Sequence, residues 1–415
     1  MNLEKFSFGV GDRFGHQGKA QLEAMIEAKK LGINVTPVWN KSNREHMIVH
    51  TEPGDVRKEA DASVKACGWK EPYHVDADHI GLGNVDKFIA ASDFFTLDVA
   101  DFMGKPAEDA KIAAFVKKCS KYVGSLAIPG IAQKFDITKD QIEKIAKKVL
   151  LAVGEAGKIY RKIEAAKSKG NFITEVSMDE TDAPQTPIEM LFILAAIADE
   201  GIPAQTIAPK FTGRFNKGVD YVGNVTQFAK EFEEDLAVIA YAVKEFGLPS
   251  NLKLSVHSGS DKFSIYEPIR KAIAKFGAGL HLKTAGTTWL EEVIGLAEAG
   301  GEGLDIAKEV YEKALGRFDE LCGPYATVID IKKDKLPSVA TVKGWTSDQF
   351  VKALRHDQSC KDYNLNFRQL IHVGYKVAAE MGTRYTDALV KFEPVVAKNV
   401  KYNILERHIK EIFVK

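Results

Sequence analysis

The sequence predicts an α/β protein built on a (β/α)8 TIM-like barrel, and three observations carry that prediction. Eight short β-rich runs alternate with helical segments from residue 6 to about residue 284, and eight is the number of parallel strands that closes a sheet around a filled interior. Glycines at Gly32, Gly201 and Gly247 follow helical segments, where a left-handed residue without a Cβ ends a helix cheaply. The carboxyl-terminal end of every run is polar, whereas a parallel strand buried on both faces reads as a continuous apolar stretch.

The strand runs are Phe6–Asp12, Asn34–Asn40, Tyr73–His79, Phe94–Asp101, Phe172–Asp179, Gln205–Phe211, Lys253–Ser258 and Leu280–Thr284. Helices fall between them, as in Gln17–Leu31, Pro187–Glu200 and Asn224–Phe246, with Pro187 in the first turn, where its missing N–H does no harm. A doubly wound open sheet does not usually reach eight βα units. Residues 105–170 interrupt the alternation with Lys, Glu, Ala and Ile at helical spacing. Within them Thr138-Lys139-Asp140-Gln141 reads as a capping box opening a helix to about Lys167. An insertion after a strand emerges on the face where barrels hold their chemistry, so a lid or an oligomer contact is expected there. Beyond Thr288 the pattern turns helical, over Trp289–Ala299, Leu304–Leu321, Ser347–His356 and Phe367 to near the end, with Ala326–Asp330 as one stray strand. The expected organisation is a barrel over 1–288 carrying a helical insertion over 105–170, with a C-terminal helical region over 289–415 packed on it.

Composition narrows the function. The 57 basic residues equal the 57 acidic ones, so nothing favours a polyanion partner such as nucleic acid. Met1-Asn2-Leu3-Glu4-Lys5 opens no charged-then-apolar leader, and the longest apolar runs, such as Met190–Ala198, are too short to span a bilayer. Cys67, Cys119, Cys322 and Cys360 lack CxxC spacing and read as reduced thiols. A cytoplasmic enzyme acting on a small molecule is expected, with no membrane partner and homo-oligomerisation left open.

The polar strand ends hold the candidate site. They are Asp12-Arg13, Asn40-Lys41, Asp76-Ala77-Asp78-His79, Asp98, Glu175-Val176-Ser177-Met178-Asp179, Lys210, His257-Ser258 and Lys283-Thr284. Period-two alternation puts Asp76 with Asp78 on one strand face, Glu175 with Ser177 and Asp179 on another, and Ser255 with His257 on a third. Buried charges need partners, so Glu175, Lys210 and Lys283 are expected either to pair across the interior or to act on substrate. His79 and His257 with nearby carboxylates suit a divalent cation such as Zn, Ni, Mn, Co or Fe. Asp220 is a candidate third ligand, with Glu175 and Asp179 its rivals. Arg13, Lys41, Arg44 and Arg214 are candidate binders of a carboxylate or phosphate. No dinucleotide fingerprint or serine nucleophile elbow appears.

The runs Phe6–Gly18, Pro37–His46 and Val75–Ile80, together with Ile371–Gly382, resemble the tagaturonate epimerase family over most of the chain. The resemblance implies a metal-dependent isomerase that inverts C4 of a 2-keto-hexuronate, with Asp78 as base and His79 as metal ligand. That chemistry needs a proton acceptor and donor, for which Asp78 and Asp179 are the candidates, and cationic groups for the sugar acid, for which Arg13, Lys41 and Lys210 stand. Retro-aldol cleavage and an enediol route both satisfy it. A Schiff-base aldolase using Lys210 or Lys283, and a non-catalytic sugar-acid binding protein, are the competing readings.

Overall fold

The computed structural model describes every residue except Asp182, Ala285 and Lys415. Eight parallel strands close into a barrel in chain order: β1 (Phe6–Gly11), β2 (Thr36–Ser42), β3 (His74–Ile80), β4 (Phe94–Asp98), β5 (Ile173–Ser177), β6 (Thr206–Ala208), β7 (Lys253–His257) and β8 (Leu280–Lys283). Closure comes from β8 pairing with β1, Phe6 opposite Leu280 and Gly9 opposite Lys283. All eight expected runs are strands. The sixth is short because Pro209, directly after Ala208, has no N–H for the ladder.

Alternation along the strands separates two environments. Phe8, Trp39, Val75, Phe95, Val176, Leu254 and Leu282 face outward and pack beneath the helices in one continuous core. The other face lines the barrel, where Val38, Phe94 and Ile173 form a small apolar plug with Leu3. Above that plug the interior is polar. Ser7 meets His281 Nδ1 at 2.9 Å, and Thr96, Asp76, Glu175 and Lys283 are buried together.

The helices begin and end where local chemistry dictates. Thr138 accepts from Gln141 N at 3.1 Å and opens a helix over Lys139–Lys167. Thr186 caps Pro187–Asp199, Asn224 caps Val225–Phe246, and the latter stops at Gly247 with φ 68°. Residues 105–170 hold the helix Asp109–Cys119, a hairpin of Gly124–Leu126 with Phe135–Ile137, and the long capped helix. Lys118 and Lys121 pair with Asp199 and Glu245 at the carboxyl ends of two outer helices, which is the face remote from the strands' carboxyl ends.

The expected strand at Ala326–Asp330 is irregular. Its backbone groups are taken by two separate segments: Val328 O accepts from Lys217 N and Ile329 O from an Arg214 guanidinium nitrogen of the same loop, while Asp330 N donates to Gln369. The last helical stretch is broken into five helices from Leu365 to Val414, with Gly374, Gly382 and Pro394 at junctions. Trp289 donates to Ile371 O at 3.0 Å, joining the helix after β8 to this C-terminal layer.

Candidate active site

A cavity of about 690 Å³ opens at the carboxyl ends of the strands. Arg13, Asp78, Asp179, Lys210 and His257 form part of its wall, and Tyr325, Val328 and His372 of the C-terminal layer cover it. No described residue of 105–170 lines it.

Lys283 forms the floor. Its ammonium lies 2.7 Å from Asp76, 2.9 Å from Asp78 and 3.1 Å from Glu175, and donates to Thr96. Gly9 makes room for the lysine: a Cβ there would stand 2.8 Å from Lys283 Cγ and from the Asn40 amide nitrogen. Burial disfavours the charged amine, but the three carboxylates hold its pKa well above the ordinary value. So engaged, Lys283 is no free amine for a Schiff base. Burial pushes Asp76 up to about 6 despite Lys283. Asp78 goes the other way, down to about 2, because Lys283, His79 and His257 outweigh its burial.

Above this floor stand His79, Asp179 and His257, whose donor atoms lie within 4.8 Å of one another. Strict alternation would turn His79 away from Asp78. A register shift between Ala77 and Ile80 and a left-handed backbone at His79, φ 52°, bring its ring into the cavity instead. Such a conformation is costly for a residue with a Cβ, and it sits where the chemistry is. The two rings are 5.1 Å apart, nearly perpendicular. Each imidazole gives one nitrogen to a carboxylate outside the group: His79 Nδ1 to Asp98 at 3.2 Å, and His257 Nε2 to Glu175 at 2.8 Å. Among the described residues the opposite nitrogens make no protein hydrogen bond. His257 Nδ1 is 3.1 Å from Asp179 yet outside hydrogen-bonding geometry, and His79 Nε2 is 3.8 Å from Asp78.

The electrostatics demand positive charge at this point. Burial opposes protonation of both rings, but Asp78, Asp98 and Asp179 push His79 up to about 10, and Asp179 with Glu175 pushes His257 up to about 9. Despite burial, the same pairing holds Asp179 far below the usual carboxylate range. A divalent cation would supply that charge in place of two protons, and two neutral imidazoles with one carboxylate are an ordinary donor set for it. The residues therefore fit a metal ion.

The other expected residues fall into three groups. Arg13 lines the cavity, bonded to Glu45 at 2.9 Å and lying 4.0 Å over the Tyr375 ring. Lys210 also lines it. Lys41 does not. It occupies the outward face of β2 and donates to the Arg13 carbonyl at 3.0 Å, so it acts behind the wall. Asp220 stands outside the imidazole group, its carboxylate accepting from Ser264 N and Oγ at the start of a helix over Phe263–Phe276. Arg44 and Arg214 join Arg13 and Lys210 in lining the cavity, Arg44 exposed over Tyr325 and Arg214 bonded to Ile329 O. Sequence reasoning missed Thr96, Asp98 as the partner of His79, and the roof formed by Tyr325 and His372. Only the Ile371–Gly382 motif pointed toward the last of these.

A family model described as tagaturonate epimerase matches residues 1–413. The chain belongs to the tagaturonate epimerase family. It is thus an epimerase of the carbohydrate isomerase class, which sets aside both the aldolase and the non-catalytic reading. Similar to this family member is a tagaturonate/fructuronate epimerase of Thermotoga maritima, 28% identical over 96% of this chain and 80% of the relative. The glycerol-complexed crystal structure of a fructuronate–tagaturonate epimerase from Cohnella laeviribosi superposes with a TM-score of 0.82 at 21% identity, over 100% of this chain and 82% of that one. Its native form gives 0.79. These superpositions support the barrel and its helical additions.

Proposed function

We propose that this epimerase interconverts D-tagaturonate and D-fructuronate by inverting C4 of the 2-keto-hexuronate, with a divalent metal held by His79, Asp179 and His257. Family membership supports the substrate. The metal reading rests on one observation: two imidazoles, each bonded to an outer carboxylate, turn their remaining nitrogens toward a third carboxylate. Outer carboxylates of this kind fix the tautomer and orientation of ligating histidines. Asp179 takes the third position in this reading, instead of Asp220.

The C4 hydrogen is not adjacent to the C2 carbonyl, so direct removal of that proton is unfavourable. Retro-aldol chemistry avoids it. Asp78 accepts the proton of the C4 hydroxyl, the C3–C4 bond breaks, and its electron pair passes toward the C2 carbonyl as an enediolate. The aldehyde fragment turns, C3 re-forms the bond on the other face of C4, and the proton returns from Asp78 to oxygen. Held down to about 2, Asp78 is ionised at any working pH but is a weak base. A bound cation would supply what it lacks, acidifying the substrate hydroxyl and stabilising the developing charge. Lys283 keeps Asp78 in place, while Arg13 and Lys210 contact the sugar acid from the wall.

Metal analysis of purified protein joined to an assay on D-tagaturonate tests both parts. Chelation should abolish turnover and one divalent metal should restore it, and His257→Ala should lower metal content along with activity. Full turnover in metal-free protein would remove the metal. Metal-loaded protein without turnover of D-tagaturonate would remove the substrate.

A further inference from the structure

The cavity wall carries groups of both signs. Around the imidazole group, carboxylates push two histidines up. Where the C-terminal layer roofs the cavity, His372 is pushed well below its ordinary value, by burial first and then by Arg13, Lys217, Arg368 and Lys262. The charges there are not equally available. Arg13 is matched by Glu45, and Arg368 by Asp261 at 2.9 Å. Lys262 is fully buried and gives its protons to Ser260 and to the carbonyls of Ser260 and Asp261. Lys217 differs from all of them. It lines the cavity and is half-buried, and among the described residues its ammonium makes no ion pair or hydrogen bond.

The backbone holds that lysine in place. Lys217 N donates to Val328 O at 2.8 Å, and Gly218 N donates to Ser260 Oγ at 2.9 Å, tying this loop to the roof and to the segment after β7. The ammonium stands 3.6 Å from where a side chain on Gly259 would begin, two residues beyond His257. An unmatched cation fixed on the wall of a polar cavity leaves an anionic ligand group as its natural partner.

We infer that Lys217 is a specificity-determining residue that binds the substrate carboxylate where the C-terminal layer roofs the cavity. The inference rests on the proposed 2-keto-hexuronate substrate and assigns its two ends. The carboxylate lies under the roof by Lys217, with Arg13 beside it, and the keto and hydroxyl groups lie toward His79 and His257. A neutral ketose of the same length would lack the charge that Lys217 meets, so the lysine selects sugar acids over sugars.

Calorimetric binding of D-tagaturonate and of neutral D-tagatose to the metal-loaded full chain tests this without relying on turnover. Lys217→Met should weaken D-tagaturonate about ten- to hundredfold, the loss expected for a charge-assisted bond. D-Tagatose should weaken far less, so that the preference for the acid collapses, and Lys217→Arg should retain most of it. Binding of D-tagaturonate by Lys217→Met within about twofold of wild type would overturn the inference, as would equal weakening of both ligands. A wild type that binds the acid no better than the sugar would overturn it as well. A wild type that prefers the acid but does not turn it over removes the epimerase substrate alone, and the Lys217 comparison still decides the carboxylate site.

Discussion

Asp78 and its neighbours show how one residue's role is set by charges from other strands. Its carboxylate is 2.9 Å from Lys283 and faces two histidines, and that company fixes its ionisation. Asp78→Asn keeps the shape and one acceptor but cannot take a proton. Turnover should fall by about two to four decades, typical of losing a general base, while metal content stays near wild type. Activity within about threefold of wild type would show that another group is the base. Parallel loss of metal and turnover would make Asp78 a partner of the metal site. A second residue-scale effect lies deeper. Burial holds His281 down to about 3 even with Glu175 nearby, from an ordinary value of 6.5. A lowered folded value means that its contribution is whole above pH 6.5 and is lost as pH falls toward 3. His281→Asn should therefore be least favourable relative to wild type at pH 7. The stability gap should narrow by about 1.4 kcal/mol per pH unit below 6.5, read by urea denaturation of both proteins from pH 7 to 5. A gap independent of pH would mean that His281 is not held neutral.

At the scale of elements, β1 and β3 do the most to shape the site. β1 carries Gly9 opposite Lys283, the strand position where the interior lysine passes closest to backbone. A methyl there must displace Lys283 or Asn40, so Gly9→Ala should destabilise by about 1–3 kcal/mol, as overpacking does. It should also cut turnover, because Lys283 anchors Asp78. Unchanged stability and turnover would show that the floor has slack. β3 supplies neighbouring residues to one cavity through a bulge and a left-handed turn at His79. The Asp78-His79 pair was legible as a polar strand end, but alternation alone sends the two side chains to opposite faces. Lys41 is the reverse case. Alternation sends it outward, and the structure keeps it there, behind Arg13.

The whole molecule is held around the site by a buried knot on Asp261. Arg368 reaches it at 2.9 Å, His356 at 3.1 Å, Thr287 at 3.2 Å and His408 at 3.4 Å. These groups come from the loop after β7, the helix after β8 and three parts of the C-terminal layer, so one carboxylate ties the barrel's catalytic face to its roof. Removing one partner of a buried ion pair leaves the other charge uncompensated, which costs about 3–5 kcal/mol. Asp261→Ala should lower the urea midpoint accordingly, and a change within about 1 kcal/mol would show that the knot is dispensable. Among the described residues no helix is long and apolar enough to cross a membrane.

What the sequence determined by itself was periodic and local. Alternation of apolar runs, glycine stops and the Thr138 capping box are written in neighbouring residues, and they specified the eight strands and the barrel, with strand ends off by up to three residues, and the long helix almost to the residue. Alternation also assembled Asp76 with Asp78, and Glu175 with Asp179, because side-chain direction along a strand follows from spacing. Only the tertiary structure decided which groups meet across strands. Lys283 draws carboxylates from β3 and β5, His79 and His257 converge from β3 and β7, and Asp220 is taken up by Ser264 at the head of a helix. Side chains separated by 44 residues or more carry no local mark of one another. Their meeting depends on barrel closure, on one bulge, and on how the C-terminal layer settles over the strand ends.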